Sequence, residues 1–168
     1  WKQRLAMATA IVHRPAILFL DEPTAGVDPV SRRQIWDLVY AMQGRGITLF
    51  VTTHYMEEAE RCNRIGFIDR GRLVALGTPA HLKETRMGAQ VVSLTGPDLY
   101  GIYSALKGTD LVLDINLYGN DLHAVVDDAA GALPRIEAHL GRAGLALTEG
   151  RAIPPSIEDV FVRLTRRA

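Results

Sequence analysis

Two apolar runs of strand length, AILFL at residues 16–20 and ITLFVTT at 47–53, flank one amphipathic helix, and few folds accommodate that order. The segment between them keeps Ile35, Leu38, Val39 and Met42 at i, i+3, i+4, i+7 spacing, the pattern of a helix with one buried face. Asp28 and Pro29 supply its N-cap and first-turn proline, and Gly44 and Gly46 end it. Trp36 and Tyr40 fall off this stripe and are expected to flank the core. Strand, helix, strand is a βαβ unit, so the strands are expected to be parallel and buried on both faces. Ligands of open α/β sheets sit outside the carboxyl ends of the strands. Those ends carry Asp21 and Glu22 on the first strand and His54 on the second. Three polar side chains are thus expected along one edge.

The flanking segments extend this pattern and then change it. Residues 2–13 place Leu5, Ala8, Ile11 and Val12 on one helical face, and Pro15 stops that helix. After His54 the order is a short helix YMEEAERC, a strand IGFID, a turn DRGR, a strand LVAL and a closing helix GTPAHLKET. The acidic residues at 57–60 read as a solvated helix face, Cys62 as a small packed residue, and TRMGA as a linker. From residue 90 the alternation has period two: Leu113, Ile115 and Leu117, then Leu122, Ala124 and Val126, around the turn YGND. This predicts an antiparallel hairpin with one wet face. Helices near 97–107 and 132–143, with strands near 90–95 and 145–151, complete a βαββαβ order of ferredoxin-like α+β type. Ser156 and Asp159 resemble a capping box for a last helix that buries Ile157, Val160, Phe161 and Leu164. The expected fold is therefore α/β over 1–86, with a mostly parallel sheet, followed by a small α+β domain over 90–168.

Composition narrows the functional classes. The 168 residues are 48% hydrophobic and 23% charged, with 19 basic and 19 acidic side chains. Residues 1–88 hold 12 basic and 9 acidic groups, and 89–168 hold 7 and 10. That mild split gives no electrostatic case for nucleic-acid binding. A single cysteine excludes an internal disulfide and a cysteine-rich metal site. His13, His81, His123 and His139 lack metal-ligand spacing and read as surface or packing residues. No apolar run approaches the ~20 residues that span a bilayer. The chain opens on Trp1, straight into a helical pattern, and reads as a piece of a longer protein.

ILFLDEPTAGVDP at 17–29 resembles the Walker B strand and D-loop of ATP-binding cassette (ABC) ATPases. TLFVTTH resembles their H-loop, ending on the switch histidine, His54. WKQR at 1–4 resembles the end of the signature LSGGQxQR, with Trp1 in place of the usual glutamine. IGFIDRGRLVALGTPAHL resembles the cassette's closing segment, and PSIEDVFVRLT at 155–165 the tail of ATPase subunits of ABC-2-type exporters. A lone Asp-Glu pair after a strand is ordinarily a solvated loop start; it is the surrounding motif that reverses this.

The chemistry is consistent with that resemblance. Hydrolytic phosphoryl transfer needs a neutralising metal, an oriented water and a polar contact to the γ-phosphate. Asp21 can hold Mg²⁺ through its water shell, Glu22 can orient or deprotonate the water, and His54 can donate to the γ-phosphate. The resemblance further implies that Gln3 and Asp28 serve the nucleotide site, Asp28 by contacting the opposite cassette in a head-to-tail dimer. It also implies transmembrane permease subunits as partners, ATP and Mg²⁺ as cofactors, and a peripheral place on the cytoplasmic face of the membrane. No segment matches GxxxxGK followed by Ser or Thr, so the phosphate-cradling loop is absent from these residues. The 168 residues alone are therefore expected to bind ATP weakly and not to hydrolyse it. A soluble ABC ATPase unconnected with transport and a non-catalytic regulatory fragment are the competing readings.

Overall fold

The computed structural model describes the backbone of residues 2–166 and the side chains of residues 5–165. The chain is mixed α/β and divides into two compact units, Trp1–Ala59 and Glu60–Ala168. The change of sequence pattern expected near 86–90 falls inside the second unit.

The first unit runs α1 (Lys2–Ala10), β1 (Ile17–Asp21), α2 (Pro29–Gln43), β2 (Thr48–Thr52) and α3 (Met56–Ala59). β1 and β2 pair in parallel, with Ile17 opposite Thr48, Phe19 opposite Phe50 and Asp21 opposite Thr52. The βαβ reading is correct, and among the described residues one face of the pair is covered and the other open. Leu18 and Leu20 are buried, whereas Ile17, Phe19 and Phe50 on the opposite face are exposed, Phe19 to 72%. Within this unit the buried positions of α2 are Ile35, Trp36, Val39 and Met42, which cover one side of a two-stranded pair only. The Phe19 and Phe50 rings rest on each other at 5.5 Å, a cross-strand pair on the open side. In α2 the indole of Trp36 takes the core position expected for Leu38, which is exposed. Rotating the helix this way buries its largest apolar side chain. α1 ends at Ala10, short of the expected His13, because Arg14 adopts a left-handed φ of 53° in a turn closed by its N–H on the Ile11 carbonyl.

The second unit begins with the antiparallel hairpin β3 (Ile65–Asp69) and β4 (Arg72–Gly77). Its two turn residues, Arg70 and Gly71, both have positive φ (46° and 75°), as a two-residue hairpin loop of matching twist requires. α4 (Pro79–Met87) follows, capped by the Thr78 side chain on the His81 N–H. The helix runs through the predicted linker: Met87 is buried, and Gly88 closes it in the left-handed conformation. β5 (Gln90–Thr95), α5 (Leu99–Leu106), β6 (Asp114–Tyr118), β7 (Asp121–Val126), α6 (Ala129–Arg142) and β8 (Glu149–Ile153) then realise the βαββαβ order. The sheet order is β6-β7-β5-β8, all antiparallel. One face packs Val92, Leu94, Leu122 and Ala124 against Ile102 and Leu106 of α5 and Ile136 and Leu140 of α6.

The other face is not wet, contrary to expectation. Val91, Ser93, His123 and Val125 are buried there, and His123 Nδ1 lies 3.4 Å from Asp159 of α7 (Ile157–Arg166). α7 starts with the predicted capping box: the Ser156 N–H and hydroxyl both meet Asp159 Oδ2 at 2.7 Å, and the Asp159 N–H returns to Ser156 Oγ at 3.1 Å. Its buried stripe holds Ile157 and Val160 as expected, and adds Arg163, whose Nε donates to the Met87 carbonyl at 2.7 Å. Phe161 meets Phe67 of β3 at 5.3 Å. These bonds tie the hairpin and α4 to the second unit. Among the described residues no helix is long and apolar enough to cross a membrane.

Candidate functional site at the ends of β1 and β2

Parallel pairing puts the carboxyl ends of β1 and β2 side by side, and Thr52 joins them. Its hydroxyl donates to Asp21 Oδ1 at 2.5 Å. The Glu22 N–H in turn donates to the Thr52 carbonyl (3.2 Å) and hydroxyl (3.0 Å). Glu22 adopts a φ of 42°, a conformation that costs a non-glycine residue about 1 kcal/mol or more and persists only where surrounding bonds over-determine it. That backbone turn brings the Glu22 carboxylate to His54, with Oε1 3.2 Å from Nδ1. Both side chains remain about half exposed, 48% and 57%. The carboxylate and imidazole are thus paired yet open to solvent.

Asp21 shares the strand end but not the His54 contact. A hard oxygen donor on an exposed strand end, with one hydroxyl partner, fits a Mg²⁺ ion that keeps most of its own waters. No group of three or more His, Cys, Asp or Glu gathers among the described residues, so a closed protein cage is not what Asp21 offers. Asp28 lies further along the chain. Its Oδ1 accepts the N–H groups of Val30 and Ser31 at 3.0 Å each, capping α2. The Ser31 side chain, then the Ser31 N–H, hold the Asp28 carboxyl below the ordinary carboxylate range. Gln3 lies in α1, but its side chain, like Trp1, is outside the described residues.

A second layer escaped the sequence reading. The acidic run at 57–60 is not a solvated face: Glu58 is 2% exposed. Its Oε1 accepts the Thr24 hydroxyl at 2.7 Å and its Oε2 the Thr53 hydroxyl at 2.8 Å, with Arg32 Nε 3.7 Å away. Thr53 Oγ1 also accepts the Tyr55 N–H at 3.0 Å. The Tyr55 ring lies 4.1 Å from the His54 ring and 4.1 Å beneath the Arg32 guanidinium. The helix that holds Glu58 is only Met56–Ala59, so Cys62 lies beyond it and is half-buried. Two threonines beside the polar strand ends, with a glutamate four residues after the histidine, were the available signal.

Known proteins resemble this chain along nearly its whole length. It is 40% identical over 167 residues to the Nod factor export ATP-binding protein I of Burkholderia thailandensis, covering 99% of this chain and 52% of that protein. The protein of the same name from a Rhizobium species is 39% identical over the same shares. The chain therefore spans about half the length of the curated relatives it matches. A family model described as "AAA domain, putative AbiEii toxin, Type IV TA system" matches residues 2–58. Among solved structures, CbiO1 of Clostridium perfringens, described as part of the ABC transporter complex CbiONQ, superposes with a TM-score of 0.44 at 33% identity. That overlap covers 49% of this chain and 34% of the other. ILFLDEPTAGVDP and TTH meet at adjacent strand ends, and over 99% of its length the chain is similar to ATP-binding proteins of the ABC type.

Proposed function

We propose that Asp21, Glu22 and His54 form the hydrolytic half of an ATP site in a protein that energises export across a membrane. The observation that carries this reading is the 3.2 Å approach of Glu22 Oε1 to His54 Nδ1 at the ends of paired parallel strands. Bound ATP with Mg²⁺ would supply the phosphoanhydride to be cleaved and the charge neutralisation at its phosphates. Asp21, at the end of β1, would hold such an ion through the ion's water shell. Glu22 accepts a proton from the attacking water, and its left-handed backbone aims the carboxylate away from the Asp21 face. As an imidazolium, with a proton on each ring nitrogen, His54 would donate from Nδ1 to Glu22 and from Nε2 to a phosphate oxygen. Gln3 and Asp28 serve the same site, Asp28 toward a second nucleotide-binding subunit in a head-to-tail dimer.

The export role rests on the printed names of the relatives and on the SIEDVF tail. Permease subunits are its partners, and the protein sits peripherally at the cytoplasmic face of the membrane. Residues 1–86 are the part that belongs to the nucleotide-binding domain, and 90–168 form an accessory domain. The activity belongs to a protein of the relatives' full length, since no phosphate-cradling loop lies within these residues. Purified alone, the 168 residues should not turn over ATP; measurable hydrolysis by them would overturn this division of labour.

The test of the site is Glu22→Gln in the full-length protein. Turnover should fall by at least about 100-fold, the lower bound for loss of a positioned general base, with ATP binding retained. Parent-rate hydrolysis by that variant would remove Glu22 from its role.

A further inference from the structure

We infer that Glu58 is a positioning residue: a buried carboxylate that ties the loop after β1 to the loop after β2 and so sets the Glu22–His54 pair. The inference rests on the proposed hydrolytic role of that pair. Each oxygen of Glu58 serves a different loop, Oε1 taking Thr24 at 2.7 Å and Oε2 taking Thr53 at 2.8 Å. Thr24 is itself almost fully buried and lies two residues after Glu22; its carbonyl closes the next turn on the Val27 N–H at 3.2 Å. Thr53 directly precedes His54, and its hydroxyl, while donating to Glu58, accepts the Tyr55 N–H. The bend that carries the imidazole is thereby shaped from the same carboxylate that holds the turn carrying the base.

A buried carboxylate is unfavourable unless its oxygens are bonded and its charge compensated. Here the compensation comes from Arg32, on α2, at 3.7 Å, and the same guanidinium lies over Tyr55, beside His54. The exposed neighbour Glu57 shows that the chain need not bury a charge at this point to form the helix. What the burial secures is a fixed span between two loops whose reactive side chains must meet. A strained φ at Glu22 needs such external restraint.

The experiment removes one arm at a time. Thr24→Val and Thr53→Val keep the side-chain shape and delete one hydroxyl each; Thr24→Ser and Thr53→Ser restore it. In the 168-residue chain, amide hydrogen exchange at residues 22, 24, 25 and 53–55 should quicken by about tenfold or more in the valine variants, with α2 core amides unchanged. In the full-length protein, kcat should fall by up to about 100-fold, the penalty of a misplacement near 1 Å, with KM for ATP changed by less than about threefold. The serine variants should recover both. A role confined to stability would instead lower the melting temperature and leave kcat of the folded fraction intact, which would overturn the inference. Unchanged loop exchange in both valine variants would also overturn it. If the parent full-length protein shows no ATP turnover, the proposed function fails, while the exchange measurement still decides whether Glu58 holds the two loops.

Discussion

The two units hold their strands in opposite ways. In the second unit β5 and β7 are buried on both faces, packed against α5 and α6 on one side, with His123 beside Asp159 of α7 on the other. Val91, Val92, Leu94, Leu122 and Ala124 are all fully buried. In the first unit β1 and β2 carry equally apolar sequences, yet one face is open, with Phe19 and Phe50 exposed. A core fully closed by its own residues organises the second unit. The first is organised by α2 on one side and, at its strand ends, by a polar network through Thr52, Thr24, Thr53 and Glu58. The residues proposed to carry the chemistry all lie in the unit with the open sheet.

The contrast is most directly broken by stability. Leu122→Ala, which empties a fully buried position of central strand β7, should cost about 2–5 kcal/mol in denaturant unfolding. Phe19→Ala, at an exposed position, should cost a small fraction of that despite deleting a larger side chain. Comparable losses would mean that the open face of β1 and β2 is covered in solution. The exposed rings should also promote self-association, since contiguous exposed apolar surface does so. Phe19→Lys should therefore shift the 168-residue chain toward monomer in size-exclusion light scattering, with unfolding midpoint unchanged. A parent chain already monomeric at the same concentration would break that half of the comparison.

How much of this was legible in the sequence follows the same divide. The order of elements in the second unit was readable because antiparallel strands alternate and helices repeat at 3.6, so Leu122, Ala124 and Val126 announce both their strand and their face. What that pattern does not carry is that the second face is covered too: Val91, Ser93 and His123 are buried there, His123 beside Asp159 of α7, 36 residues further along the chain. In the first unit the apolar runs fixed the strand type but not which of their faces this chain would cover. Asp21, Glu22 and His54 were readable because motif and topology place them at adjacent strand ends. Glu58 was not, because a charged residue in an acidic run is ordinarily solvated, and only tertiary contact with Thr24 and Thr53 reverses that. Trp36 likewise displaced Leu38 from the core through packing that helical periodicity cannot weigh.

Acid sharpens the comparison in a smaller way. In the second unit burial pushes the Glu60 carboxyl up. The Lys83 ammonium at 2.6 Å and the Ile157 N–H outweigh that and hold it below its ordinary range. A depressed folded-state value means the stabilisation is complete above the ordinary glutamate range and is lost as pH falls through the lowered value. Glu60→Gln should flatten the acid limb of the second unit's unfolding midpoint, and Lys83→Met should do the same, since each removes the Glu60–Lys83 pair. An unaltered acid limb in both variants would show that the pair contributes nothing measurable, as surface pairs often do.

The first unit offers the smallest effect and the cleanest separation. Asp28 is held below the ordinary carboxylate range by Ser31, side chain first and then backbone, and by the Val30 N–H. The sign is the same as for Glu60: its contribution is present above the ordinary aspartate range and is lost as pH falls through the lowered value. Capping and charge can be told apart here, because asparagine caps a helix as well as aspartate but does not titrate. Asp28→Asn should keep the neutral-pH melting temperature of the first unit while removing its acid-dependent part. Asp28→Ala should lower the melting temperature at every pH. If the two variants behaved alike at neutral pH, the negative charge at the start of α2, and not the hydrogen bonds to Val30 and Ser31, would be what Asp28 contributes.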